Sequence, residues 1–356
     1  MTISLLKEEP YLELLGDPAR LRRYLNPASS KEVQWIIIDE VQRVPAILSE
    51  VHDILEDPIF NNKVRFALTG SSARKLKRGG ADLLAGRALV NNLYPLSFLE
   101  TNDQWSLDQA LNWGCLPAVV DAEDDTLRAE ILRAYVGTYI KEEIKEEIKE
   151  EQIVRKLEPF IRFLEAAAQA NGELVTYSNL ARKSMVDEKA VSRYFEILED
   201  TLIGVFLPPY TKSARERALA QSKFYFFDVG VKRALERNLG VKSRPSDANW
   251  GRAFEHYIIM ECVCLNSYFK RDAKLSQLKT KDGAEIDLII EFPRKKPLCI
   301  EIKSSKNIPT VEINKLLKIS QAIPGGIPII VYDGEHEQHE NGVRIIPWKK
   351  FLKEIW

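Results

Sequence analysis

The stretch that most constrains this chain is WIIIDE, Trp35 to Glu40, four apolar residues ending in two adjacent carboxylates. A short apolar run of this kind reads as a strand buried on both faces, with the acids at its C-terminal tip. VHDILED comes next as a helix, VRFALTG as a second buried strand, and RALVNNLYPLSF as a further apolar stretch. Strand, helix, strand is the signature of a parallel sheet with crossover helices. LTGSS closes the second strand with small polar residues at the carboxyl edge of that sheet, where open α/β sheets bind ligands.

Adjacent Asp39 and Glu40 at such an edge have the look of a Walker B segment, which places an aspartate beside Mg²⁺ on a bound nucleotide. The partner of that segment is a phosphate cradle written G-x-x-x-x-G-K-[ST]. The only glycine ahead of Trp35 is Gly16, and none of the 17 glycines is followed by lysine. The carboxylates are in these residues and the cradle is not.

A length of 356 residues predicts two or three domains. The composition, 45% hydrophobic and 29% charged, is that of a soluble globular protein. The formal net charge of -1 leaves nucleic-acid binding to a local patch. No apolar run is long enough for a membrane span and MTISLLKEEP has no signal architecture, so the expectation is a cytoplasmic protein without a membrane partner. Cys115, Cys262, Cys264 and Cys299 form no C-x-x-C pair and read as buried free thiols.

Leu127 to Ala170 reads as long helices carrying YIKEEIKEEIKEEQI, in which isoleucines 140, 144 and 148 share a stripe among Glu/Lys pairs. That is the pattern of a solvated spacer helix. Beyond it, Thr176 or Ser178 is placed to cap a short helix and Asp187 a second one, and LIGVFLPPY then reads as a strand. Short helix, turn, longer helix, strand is the layout of a winged helix-turn-helix. Its exposed basic residues would be Arg182, Lys183, Lys189 and Arg193, diluted by Asp187, Glu188, Glu196 and Glu199, so DNA contact and protein docking both stay open.

The last third reads as an α/β module of its own. A helix is expected from about Gly251 to Tyr268, then strands AEIDLIIEF and LCIEIKSS joined by PRKKP, a helix near Val311 to Ile323, and strands IPIIVY and VRIIP. Alternation puts Glu301 and Lys303 on one face of their strand, and a hairpin would bring Asp287 beside them. Oxygen ligands of this sort suit Mg²⁺, which activates water for phosphodiester attack, with Lys303 orienting that water or stabilising charge. Glu255 on the preceding helix would add a further oxygen. The plainer reading is a hairpin with ordinary charges on its wet face.

Taken together, the motifs resemble a prokaryotic family of AAA+ superfamily ATPases that carry a C-terminal domain of unknown function with a restriction-endonuclease-like core. The resemblance is carried by IIIDEVQRVP, RFALTGSS, LLAGRALVNNLYPLSFLE, the middle helical region, FYFFDVGV, GRAFEHYI, GAEIDLII and IEIKSS, in the family's order. It implies an α/β multidomain protein with a partial P-loop NTPase core over residues 1–125, a helical and winged-helix linker over 126–212, and a restriction-endonuclease-like domain over 213–356. It further implies Asp39 as the Mg²⁺ aspartate, Glu40 as the carboxylate that polarises water, Ser71 and Ser72 at the sensor position, and Arg87 as an arginine reaching a phosphate. Asp287, Glu301 and Lys303, with Glu255, match the nuclease-like signature.

Family members begin with a strand and a Walker A loop, and SLLKEEPYLELLGDPARLRRYL resembles the segment on the C-terminal side of that loop. The expected cofactors are therefore Mg²⁺ and, by resemblance only, ATP held weakly or not at all. Three readings stay open: an AAA+-type ATPase relative with an incomplete nucleotide site, an ATP-independent Mg²⁺ nuclease, and a non-enzymatic DNA-binding or interaction protein. A second copy or a partner chain completing the N-terminal sheet is the expected assembly.

Overall fold

The computed structural model describes residues 1–25, 33–60, 62–70, 88–140, 158–211, 221–245, 247–280 and 282–356. The chain divides into two units, Met1–Val90 with Asp200–Leu202, and Asn91–Glu199 with Ile203–Trp356.

The first unit holds a parallel three-stranded sheet of β1 (Thr2–Ser4), β2 (Gln34–Asp39) and β3 (Val64–Leu68), in that spatial order. Helices α1 (Glu8–Gly16) and α2 (Ile47–Glu56) are the crossover elements the sequence pattern requires. Ile3, Ile36, Ile38 and Val64 from the strands pack with Leu14, Ile47, Val51 and Ile54 from the helices in one core. The strand Trp35–Asp39 is not buried on both faces, as its apolar run suggested: Ile36 and Ile38 are fully buried, whereas Trp35 is 51% exposed and Ile37 37%. Four consecutive apolar residues conceal an ordinary two-residue alternation when both faces are apolar.

In the second unit, residues 91–97 carry no regular element, and α3 (Phe98–Thr101), α4 (Leu107–Trp113) and α5 (Pro117–Val120) come after them. The long helices expected over Leu127 to Ala170 appear as α6 (Asp125–Ala134), a π-helical turn Tyr135–Ile140, and α7 (Glu158–Gln169). Ile144 and Ile148 of the spacer stripe lie outside the described residues. Next come α8 (Tyr177–Ser184) and α9 (Glu188–Asp200), with Asp187 capping α9 through Ala190 N at 2.7 Å; Thr176 stands at the α8 cap but its hydroxyl makes no capping bond, accepting instead from Gln221 Nε2 at 3.4 Å. The strand β4 (Gly204–Leu207) pairs antiparallel with β5 (Lys223–Phe226), and Leu174 bridges to Lys223.

After α10 (Val229–Leu235) and α11 (Ala248–Tyr268), a six-stranded sheet forms from β6 (Lys274–Lys279), β7 (Glu285–Glu291), β8 (Leu298–Lys303), β9 (Ile327–Tyr332), β10 (Gln338–Glu340) and β11 (Val343–Pro347). Its order is β10-β11-β9-β8-β7-β6, parallel where β9 meets β8 and β11 and antiparallel elsewhere. One face packs on α11 and on α13 (Trp348–Ile355), through Leu288, Ile290, Ile300, Ile302 and Val331. The other packs on α12 (Thr310–Ser320), through Ile286, Ile289, Cys299 and Ile330 against Ile313, Leu316 and Ile319. Both faces are covered, so these strands read as nearly continuous apolar runs. All four cysteines are buried free thiols, and no described helix is long and apolar enough to cross a membrane.

Candidate functional site

Two polar constellations stand out, one in each unit. In the first unit Asp39 ends β2 at the carboxyl edge of the parallel sheet, gripped from both sides. Its Oδ2 accepts from Ser4 Oγ at 2.9 Å and its Oδ1 from Thr69 Oγ1 at 2.7 Å, so residues at or just beyond the tips of the flanking strands fix the carboxylate. Glu40 comes next with φ of 60°, a left-handed conformation uncommon outside glycine, and its backbone N–H donates to Thr69 Oγ1 at 3.3 Å. Gln42 Nε2 donates to Glu40 Oε2 at 2.6 Å. The sharp turn directs the chain off the sheet directly after the two acids.

Ser4 and Thr69 were not singled out in the sequence. The signal for Thr69 was available in LTGSS, but the resemblance drew attention to Ser71 and Ser72 two and three residues further on. Ser71, Ser72 and Arg87 lie outside the described residues.

In the second unit the expected hairpin is present: β7 and β8 pair antiparallel with Leu288 opposite Ile300. Just past that pair, Asp287 Oδ2 accepts from the backbone N–H of Ile302 at 2.8 Å, so a side chain takes a donor of the neighbouring strand. Lys303 Nζ lies 2.7 Å from Glu301 Oε1 and 3.4 Å from Glu312 Oε2 on α12. Glu255 on α11 points into the same region, but its partners come from elsewhere: Tyr225 Oη donates to its Oε1 at 2.6 Å, and Lys223 Nζ lies 3.0 Å from that oxygen. Lys223 also pairs with Glu285 Oε1 at 2.6 Å, and Glu285 with Lys279 at 3.1 Å.

Burial dominates the electrostatics of this cluster. It pushes the Asp287 carboxyl well above the usual range, and the neighbouring charges of Glu255 and Glu301 push it further, against Lys223 and the Ile302 N–H. Glu301 is raised by burial despite Lys303. For Lys223 and Lys303 burial pulls down, but the surrounding carboxylates outweigh it and both ammonium groups are held charged. Burial also lifts the Tyr225 hydroxyl well above its ordinary value, with Glu255 adding to it.

Among the described residues, no three His, Cys, Asp or Glu side chains are arranged to hold a metal ion. The sequence therefore located Asp287, Glu301, Lys303 and Glu255 in one neighbourhood but missed Lys223, Tyr225, Glu285 and Glu312. Lys223 and Tyr225 stand in SKFYFF, whose alternation puts both on one face of a strand, which was the available signal. Arg182, Lys183, Lys189 and Arg193 lie on α8 and α9.

The parallel sheet of the first unit is consistent with the family model that covers it. Residues 3–102 match an AAA domain. The rest divides between two domains of unknown function, DUF8612 over residues 104–244 and DUF4143 over residues 250–351. An uncharacterized protein of Mycobacterium tuberculosis is 26% identical over 308 residues, 85% of this chain and 65% of that protein. An uncharacterized protein of Mycobacterium bovis matches to the same extent. One from Haemophilus influenzae is 25% identical over 338 residues, 89% of this chain and 77% of its own length. The chain thus spans somewhat less than two thirds of the mycobacterial relatives it matches, 65% of their length.

Proposed function

We propose that the AAA domain supplies the metal- and water-handling half of an ATP site, with Asp39 as the Mg²⁺ carboxylate and Glu40 as the group that polarises the attacking water. The observation that carries this reading is the grip on Asp39 by Ser4 and Thr69 at the carboxyl edge of the parallel sheet. One carboxylate with two hydroxyls is an all-oxygen donor set of the kind Mg²⁺ accepts. When bound, Mg²⁺ with ATP supplies a polarised phosphoryl group in line for attack by water.

The residues of this chain do the remaining work. Ser4 and Thr69 hold Asp39 in one rotamer, and Thr69 also takes the Glu40 N–H, tying both acids to the next strand tip. Gln42 orients the Glu40 carboxylate through one oxygen, and that carboxylate is the base that takes a proton from water. What these residues do not supply is a glycine-lysine phosphate loop. The chain by itself is therefore a weak nucleotide binder, whatever segment completes the site.

Calorimetry with a non-hydrolysable ATP analogue and Mg²⁺ tests this, first on the chain alone and then on the chain fused to a strand–loop–helix segment of the form G-x-x-x-x-G-K-T. The chain alone should show no binding tighter than about millimolar; the fusion should bind and hydrolyse ATP, with Asp39→Ala lowering hydrolysis by ~100-fold or more. Micromolar binding by the chain alone that Asp39→Ala abolishes would show that another cradle exists. A fusion that hydrolyses ATP equally well with alanine at position 39 would remove Asp39 from the mechanism.

The Asp287–Glu301–Lys303 set also bears on function, since a nuclease of this signature works through a metal. Among the described residues its carboxylates are not arranged to hold one.

A further inference from the structure

The second constellation holds a buried lysine from outside the nuclease-like signature. We propose that Lys223 is the resident cation of this carboxylate cluster, standing where the resemblance would place a divalent metal ion, so that the chain holds the cluster together without metal.

Lys223 is not a loose surface side chain that happens to reach acids. Its side chain is 4% exposed, and its ammonium lies 3.0 Å from Glu255 Oε1 and 2.6 Å from Glu285 Oε1, bridging α11 and β7. Its backbone is fixed twice, by pairing with Leu207 in the β4–β5 ladder and by the bridge to Leu174. Tyr225, two residues on and on the same face, donates to the oxygen of Glu255 that Lys223 also contacts, so that oxygen already has two protein partners. The Asp287 carboxyl contributes to the field at Lys223, and its own Oδ2 is occupied by the Ile302 N–H. Glu301 is engaged by Lys303.

Each signature carboxylate thus has one oxygen engaged by a donor of this chain. An ammonium holds carboxylate oxygens at hydrogen-bond distance, wider than the roughly 2.1 Å that Mg²⁺ imposes, and its tetrahedral donors do not draw oxygens into an octahedron. A buried acidic cluster without a cation would be strongly unfavourable. Removing the lysine charge should therefore create a demand that a divalent ion can meet.

The test uses the full chain with MnCl₂ as probe, followed by calorimetry, Mn²⁺ electron paramagnetic resonance and thermal melting. Asp39→Ala is present throughout, so that the first unit adds no signal and failure here is separable from failure of the ATP-site reading. With Lys223 in place, Mn²⁺ should neither bind at the cluster nor move the melting temperature. Lys223→Met, similar in length and uncharged, should gain one Mn²⁺ site and melt about 5 °C higher in saturating Mn²⁺ than in chelator, and a further Asp287→Asn should remove that gain. Lys223→Arg, which keeps the charge, should stay indifferent to Mn²⁺. If Lys223→Met is unfolded in chelator, recovery of its circular dichroism on adding Mn²⁺ supports the proposal. Mn²⁺ binding by the Lys223 chain that Asp287→Ala abolishes overturns it, as does a Lys223→Met chain that neither binds Mn²⁺ nor regains its fold.

Discussion

Single residues here act through who else is buried beside them. Glu261 on α11 is 4% exposed, and its Oε1 accepts from Phe98 N at 3.1 Å. Burial raises its carboxyl from 4.5 to about 8, against the help of the Phe98 N–H and Tyr257. Because the folded value lies above the unfolded one, the stability tied to its neutral form is complete below pH 4.5 and is lost as pH rises to about 8. His256, buried and held at Phe226 O through Nε2, is depressed by burial from 6.5 to about 3, so its contribution is complete above pH 6.5 and is lost below that. Asp228, raised by burial to about 6, has finished its change by then. Between pH 6.5 and 8 the fall therefore belongs to Glu261 among these three groups, at about 1.4 kcal/mol per pH unit. Urea unfolding of the second unit should show that slope in the wild type, and Glu261→Gln should flatten it; an unchanged slope in the variant would mean another group carries it.

Elements meet where the sequence spends a glycine. A Cβ on Gly230, at the start of α10, would sit 1.9 Å from the carbonyl oxygen of Trp113, the last residue of α4. The next residue, Gly114, has φ of 74°, and a Cβ there would strike the Asp228 carboxylate at 2.1 Å. The two glycines let Asp228 reach across, capping α10 through Val231 N at 2.9 Å and accepting from Cys115 N, just beyond α4, at 2.7 Å. Gly230→Ala must push α10 off α4 and strain the Asp228 bridge, which should destabilise the second unit by about 3 kcal/mol, read as a lower urea midpoint at unchanged slope. A loss below roughly 0.5 kcal/mol would show that the contact yields more easily than packed backbone does.

At the scale of the whole molecule the chain has separate cores. Ile36, Ile38, Leu14 and Val51 belong to a cluster confined to the first unit, whereas Phe254, Phe160, Tyr194 and Ile300 share the main cluster of the second. Separate cores unfold as separate cooperative units. Calorimetry should show two transitions, with Ile38→Ala lowering one and Phe254→Ala the other, each by the roughly 2–5 kcal/mol expected of a buried large-to-small change. A single transition lowered alike by both substitutions would show that the units unfold as one.

Much of the local structure, and the residue types at both constellations, follow from short-range pattern in the sequence. The apolar run to Asp39, the I-E-I-K alternation and the capping Asp187 each arise from local periodicity and backbone hydrogen bonding, which a chain of L-residues imposes over a few neighbours. Which residues stand opposite one another depends on how the elements pack. Ser4 and Thr69 meet at Asp39 because β1 and β3 flank β2, and neither pairing is encoded in the six residues WIIIDE. Lys223 reaches Glu255 and Glu285 across 32 and 62 residues of chain, since a buried ammonium must find its carboxylates wherever the fold brings them. Trp35 and Ile37 were apolar in the sequence and exposed in the fold, because burial is a property of what covers a face and periodicity records only that the face exists.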